Sequence, residues 1–512
     1  MRASASRLVF MVGGSLSYVG GGCMVPGQRL RGKKQLASGA SRSGRVAVRL
    51  TAVNPLPGGQ LNTQNGNPQD VTIAVIGDGF GALLVYTAAM YLGFRPEQVG
   101  IFGENLNPVQ TYQQFAWNLG QTVLRSESES HFLPADWPTF AQMEAFARVD
   151  PSPLFRSAGR KFNPGVPEIL AEAAIVTKQL GYENRVLGGT KVGWIVREPG
   201  PPVHFSLYDE EANLIGRCKH AMIAIGHGPL AFPGVYGRAK ENPATADRVV
   251  QAYEAKQYFR GGRYIVVGSG IASVNEWANC IEAGAQCIAL RRNPHPEEQD
   301  LNVPRCLFDG SGIDAFQGLS FDDRLDFLGQ ALRGTSPTRR GWNEIIASGR
   351  QQGLFEEAIG GLTDIRPGPA GLTVDFKPYD SEQVLTLDVT GIVCGTGFVK
   401  SAFSLPLLRR LAQTYNVPVE RERVVLKTNC GVPPLDREDS RLCMMGLNAN
   451  TVVPNGDTIA GLKYIARRFV GDCARAEGVK PLAFPKRLGM QLSMANKTVK
   501  ALRQVRKTQQ LA

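Results

Sequence analysis

Two glycine-rich turns, 191 residues apart, have the residue spacing that accepts a pyrophosphate. One reads Gly77-Asp78-Gly79-Phe80-Gly81-Ala82 and the other Gly268-Ser269-Gly270-Ile271-Ala272-Ser273. In such a turn the first glycine permits a tight reversal and the second lets the backbone approach the phosphates. The third small residue packs a helix closely on a strand. Gly77, Gly79 and Ala82 fill these places in the first turn, and Gly268, Gly270 and Ser273 in the second. N–H groups at the start of the following helix then face the phosphates. What comes next differs between the two. Glu104 stands 22 residues past Ala82, where an acid grips a ribose 2′-hydroxyl, which suits FAD or NAD. Arg291 and Arg292 begin 18 residues past Ser273, and paired guanidinium groups match a 2′-phosphate, which suits NADP(H). Two such sites in one chain imply a flavin reduced by a nicotinamide.

The elements needed to position these residues are legible around them. Val71–Ile76 and Arg263–Val267 are apolar, β-branched runs expected as strands buried on both faces of a parallel sheet. Leu83–Leu92 and Val274–Ala283 read as the helices that follow, and Val99–Gly103 and Ala285–Leu290 as the second strands. Two further apolar runs end in tight turns, one at Gly226-His227-Gly228 and the other at Gly395-Thr396-Gly397-Phe398. A late strand ends at Gly446 and is followed by Gly456-Asp457 and a helix-like stretch from Ile459 to Val470. Asp457 there suits either a helix cap or a ligand to a ribityl hydroxyl.

On these residues the chain resembles the two-dinucleotide-binding-domain flavoproteins. The resemblance implies an α/β protein of two Rossmann-like dinucleotide-binding domains, the NADP domain inserted into a discontinuous FAD domain. It places an FAD-binding domain at 70–257 and 376–475 and the NADP-binding domain at 258–375; the charge pattern sets off a basic tail at 476–512. In that superfamily the strand ending at Gly446 and the helix after Asp457 close the FAD site. Gln121–Pro134 is similar to the segment near the isoalloxazine in lysine/ornithine N-hydroxylase-like monooxygenases, which makes Arg125 and His131 candidate contacts. Ile271 and Ala272 depart from the polar Gln-Ser pair frequent in that group. No catalytic residue is assigned by this reasoning.

Electron flow beyond the flavin is narrowed by the cysteines. None of the nine is spaced as Cys-x-x-Cys, which argues against a disulfide reductase, and no cluster resembles a metal site. The leading expectation is an FAD- and NADPH-dependent monooxygenase acting through a flavin hydroperoxide on a small molecule, with molecular oxygen as co-substrate. The alternatives are an NADPH dehydrogenase serving a quinone or other acceptor, and a non-catalytic flavin-binding assembly or redox-sensing factor.

The net charge of +12 is confined to the ends. Residues 1–69 hold nine Lys or Arg and no acid, and eight more follow Glu477, again without an acid. The body between is mildly acidic, which argues against a nucleic-acid partner. Arg- and Ser-rich residues 1–53 read as a targeting peptide, with a plastid stroma favoured over a mitochondrion, and 54–69 as a linker. The tail carries cations at 497, 500 and 503 on one helical face, suited either to solvent or to weak contact with an anionic membrane surface.

Overall fold

The computed structural model describes residues 68–124, 129, 131–158, 162–188, 191–200, 204–294, 303–331 and 340–511. The expected targeting peptide, nearly all of the linker, and Arg125 lie outside the described residues.

Two seven-stranded sheets organise the chain. The first contains β1 (Gln69–Ile76), β2 (Val99–Gly103), β3 (Val186–Gly188), β4 (Val192–Glu198), β5 (His204–Asp209) and β6 (Leu214–Ile223), in the order β3-β2-β1-β6-β5-β4. The second contains β7 (Val249–Gln251), β8 (Arg263–Val267), β9 (Gln286–Arg291), β10 (Phe355–Gly368), β11 (Gly371–Pro378), β12 (Leu385–Val389) and β13 (Gly391–Cys394), in the order β12-β11-β10-β9-β8-β13-β7. A short β14 (Val419–Glu420) and β15 (Arg423–Val424) form a ribbon, and β16 (Leu442–Met444) completes the first sheet beside β6.

The helices are α1 (Phe80–Leu92), α2 (Gln110–Asn118), α3 (Phe140–Arg148), α4 (Ser152–Ala158), α5 (Val166–Leu180), α6 (Val235–Glu241) and α7 (Ile271–Glu282). They continue with α8 (Gly310–Gln317), α9 (Phe321–Ala331), α10 (Arg340–Gln351), α11 (Pro406–Tyr415), α12 (Ile459–Ala476) and α13 (Phe484–Leu511).

Each sheet has a parallel core extended by an antiparallel meander. β3, β2, β1, β6 and β16 run parallel, as do β10, β9, β8, β13 and β7. Ile73–Ile76, the C-terminal half of β1, are at most 2 % exposed, which explains why that run is apolar without alternation. Register aligns the carboxyl ends: Ile76 faces Phe102 and Ile223, and Val267 faces Leu290 and Cys394. The glycine turns therefore emerge side by side with the ends of β6 and β13, where open α/β sheets bind ligands.

The chain leaves the first sheet through β6 and returns to it through β13. Its two crossing segments pair with each other: Ala231 N–H donates to the Gly397 carbonyl at 2.9 Å and Val399 N–H to the Pro229 carbonyl at 2.8 Å. The inserted sheet is wider than expected. It spans Val249 to Cys394, so β7, the end of β11, β12 and β13 pair in it rather than in the first sheet. The cause is pairing: β7 adds to β13, while β11 and β12 extend β10 as a meander.

Two polar docks hold the inserted domain. On one side the Asn118 amide donates to the Tyr253 carbonyl at 2.7 Å, and Asn279 to the Leu119 carbonyl at 2.9 Å. Lys256 Nζ donates to the Asn118 carbonyl at 3.1 Å and pairs with buried Glu276 at 2.8 Å. On the other side Gln317 donates to the Thr428 and Val452 carbonyls, and Arg324 to the Thr451 carbonyl. The C-terminal stretch is not a loose tail. It folds as α13 against α3 and α5, burying Gln491, Met494, Thr498 and Leu502. Among the described residues no helix is long and apolar enough to cross a membrane.

Candidate dinucleotide cleft

Both glycine turns line one cleft of about 2130 Å³. Their backbones are near copies: Gly77 has φ 111° and Gly268 φ 106°, a region closed to most side chains. Any Cβ on Gly77 would overlap the Ala224 carbonyl at the end of β6. On Gly268 it would lie 2.7 Å from Ser273 Oγ and 2.9 Å from the Gly395 carbonyl oxygen beyond β13. Gly79 and Gly270 are the reverse case. A Cβ at either meets no other part of the chain within 4 Å. Each of these glycines is the N-cap of its helix, α1 or α7, with no side-chain cap. The first N–H groups of both helices therefore lack a side-chain acceptor. These two cradles fit a phosphate group in shape and polarity. Ala82 and Ser273 are fully buried, and the Ser273 hydroxyl donates to the Val267 carbonyl at 3.2 Å, so both serve the helix–strand contact.

The strand-end residues behave differently from their sequence spacing. Glu104 is exposed, lies outside the cleft lining and has Lys191 Nζ at 3.7 Å. The acid of this turn that does line the cleft is Asp78, between its two glycines. Its carboxylate accepts the Asn105 backbone N–H at 2.6 Å and the Asn105 amide at 3.1 Å, and Tyr182 donates to its carbonyl at 2.9 Å. At the end of β9 the two arginines part. Arg291 turns away from the cleft to Glu357 on β10 at 3.0 Å, whereas Arg292 lines the cleft. Alternation of side chains along an extended chain separates neighbours in this way.

A third open position lies at the end of β16. Gly446 has φ 75° and nothing closer to its would-be Cβ than the Gly226 carbonyl oxygen at 3.9 Å. The N-cap of α12 is Thr458, whose hydroxyl accepts the Gly461 N–H at 3.1 Å. Asp457 is thus not the cap, and its residue lines the cleft. Its charge acts on the cleft residues His227, Lys400 and Tyr253. Burial pulls the His227 imidazole below its ordinary range while Asp457 opposes this. Burial and then Arg423 lower the Lys400 ammonium, again opposed by Asp457. The His227 ring stacks on Phe398 at 4.4 Å and 14°, and Phe398 on Tyr253 at 5.0 Å and 27°. This stack joins the two crossing segments.

His131 also lines the cleft, held by a group that sequence reasoning missed. The fully buried Glu172 carboxylate on α5 accepts the backbone N–H groups of His131, Phe132 and Leu133 at 3.3, 3.3 and 3.4 Å. No short-range pattern marks Glu172, because it acts across about forty residues. Along α12, Lys463 and Arg467 pair with Asp136 at 3.0 and 2.8 Å. Burial opposes ionisation of Asp136, but the Arg467 hydrogen bond and both cations outweigh it and hold that carboxyl at about 2.

Two cradles facing one cleft, on sheets joined by two crossing strands, decide the architecture. This is the fold of the two-dinucleotide-binding-domain flavoproteins. No protein-family model and no curated protein sequence matches the chain. Solved structures do. The ornithine hydroxylase of Pseudomonas aeruginosa matches with a TM-score of 0.61 at 12 % identity, covering 80 % of this chain and 100 % of that one. An FAD-bound cadaverine monooxygenase from Erwinia amylovora matches at 0.61 and 15 %, covering 82 % and 98 %. The L-lysine 6-monooxygenase of Pseudomonas syringae matches at 0.60 and 14 %, covering 79 % and 99 %. In this flavoprotein fold Gly77, Gly79, Gly268, Gly270, Gly446, Asp457 and Arg292 share the cleft lining, and Glu104 and Arg291 do not.

Proposed function

We propose that the chain is an FAD- and NADPH-dependent oxidoreductase, and within that class a monooxygenase of small molecules. The observation that carries it is the pair of open glycine cradles on opposite sheets facing one cleft. The first turn, with Gly77 and Gly79 and with Ala82 packing its helix, holds the FAD pyrophosphate. Gly446 admits the ribityl chain, and Asp457 hydrogen-bonds one of its hydroxyls. The second turn, with Gly268, Gly270 and Ser273, holds the NADPH pyrophosphate, and Arg292 takes the 2′-phosphate. When bound, FAD supplies hydride acceptance and the capacity to activate oxygen.

The chain's own groups orient the two cofactors and exclude water. The stack of His227, Phe398 and Tyr253 walls the cleft where the domains meet. Burial biases the His227 ring toward its neutral form, with the Asp457 charge opposing. The monooxygenase assignment is supported by the N-hydroxylating enzymes among the similar structures and by the cysteines. The described free cysteines are buried, and none lines the cleft.

The test is direct. Purified protein should carry FAD and oxidise NADPH. Mixing the reduced protein with oxygen should give a transient absorbance before the oxidised spectrum returns. Fast quinone reduction without that transient would overturn the monooxygenase assignment and leave the dehydrogenase. Bound flavin without any NADPH oxidation would leave a binding protein. We also propose that residues 1–53 direct import into a plastid, with a mitochondrion as the competing destination. Localisation of those residues fused to a fluorescent protein tests this.

A further inference from the structure

Away from the cleft, α3 and α4 form a hairpin whose large apolar side chains face solvent. Phe146 is 68 % exposed, Val149 88 % and Phe155 73 %. Val149 closes α3 in the left-handed region at φ 55°, a conformation that suits glycine or asparagine and strains a β-branched residue. The most exposed apolar residue of the hairpin thus sits where a polar one would fit better.

The neighbouring surface is cationic. On α13 the exposed face carries Lys497, Lys500, Arg503 and Lys507, three to four residues apart, with no acid anywhere in the helix. Arg503 Nη2 donates to the Phe146 carbonyl at 3.2 Å, so the stripe abuts the apolar hairpin directly. The arginines behind it crowd one another. Arg148 and Arg506 share the buried carboxylate of Glu144. Burial, then the charges of Arg506 and Arg156, lower Arg148 to about 10, with Glu168 and Asp150 opposing.

We propose that this face docks the protein on an anionic lipid bilayer, with Phe146, Val149 and Phe155 entering the interface and the α13 stripe meeting the headgroups. Charge complementarity selects the occupant. An acid-free row of mostly lysine side chains recognises a field of negative charge rather than one shaped ligand. The apolar residues project from a hairpin tip, as interfacial anchors do, with amphipathic cations beside them.

Vesicle co-sedimentation of the full chain tests this without any need for turnover. Vesicles of phosphatidylcholine with phosphatidylglycerol should bind at least about tenfold more protein than phosphatidylcholine alone, and high salt should abolish the difference. Replacing Val149 by Asn relieves the strain, so the variant should be as stable as wild type yet bind several-fold less. A triple variant with Lys497, Lys500 and Lys507 changed to Gln should lose most of the anionic preference. Flavin content checks that each variant is folded. Equal binding to neutral and anionic vesicles, or unchanged binding by either variant, would overturn the proposal. So would concentration-dependent dimerisation that Val149→Asn abolishes, because a second copy would then cover the face.

Discussion

The two glycine turns match in backbone and differ in everything that reaches past it. Gly77 and Gly268 share one φ region, and each abuts the residue where a crossing strand ends. Gly79 and Gly270 both open onto the cleft. Yet the first turn contains an acid, Asp78, whose charge is taken up by the N–H groups of Asn105. The second contains Ser269 and has a cation, Arg292, at the end of the next strand on the cleft side. On the proposed function, the shared backbone would cradle a phosphate in both turns, while side-chain direction at the neighbouring strand end would set which nucleotide each favours.

The largest effects should come from filling the cradles. Gly79→Val adds a side chain where the chain leaves space, so the protein should fold and lose flavin almost completely. Gly77→Ala puts a methyl into the Ala224 carbonyl and should fail to fold. Full flavin in a soluble Gly79→Val protein would break the equivalence of turn and cradle. Gly270→Val should keep flavin but slow NADPH-driven bleaching by about 100-fold or more, roughly 3 kcal/mol of lost binding and positioning. Bleaching at the wild-type rate would show that the second turn holds no nicotinamide cofactor.

Arg292→Ala should raise KM for NADPH about tenfold while changing KM for NADH little, a difference of about 1.4 kcal/mol. Arg291→Ala should leave that ratio unchanged, because its guanidinium is held by Glu357. The smallest effect concerns the α12 wall near the first cradle. Asp136 is held at about 2 in the folded chain, below the unfolded value of about 4. Its contribution to stability is therefore present above pH 4 and lost as pH falls through 2. Asp136→Asn should lower the melting temperature slightly at pH 7, and the gap should close toward pH 2. A gap independent of pH would show that the ion pairs with Lys463 and Arg467 contribute nothing.

Much of this was legible in the sequence because it is local. A buried strand, a glycine turn and a helix occupy consecutive residues, and their spacing alone locates both cradles. Side-chain direction was not legible. Arg291 and Arg292 are interchangeable as letters, but the pleat sends one to Glu357 and the other to the cleft. Asp457 and Thr458 are both cap-forming residues, and only backbone geometry selects Thr458. Glu172 and the pairing of β7 with β13 depend on residues far apart in the chain. Asp78 was visible, but a turn described by its glycines draws no attention to the residue between them.

The crossing strands have a mechanical consequence. The chain passes from one sheet to the other beyond Ala224 and back again beyond Gly395. Just past these points lie Gly226 at φ 73° and Gly397 at φ 72°, each with no neighbour around its missing Cβ. No steric contact of a side chain would resist backbone rotation at either point. Any swing of one domain would turn on both at once and would pull the ends of β6 and β13 away from the glycines they support. A change in the angle between the two domains would therefore alter both glycine cradles together.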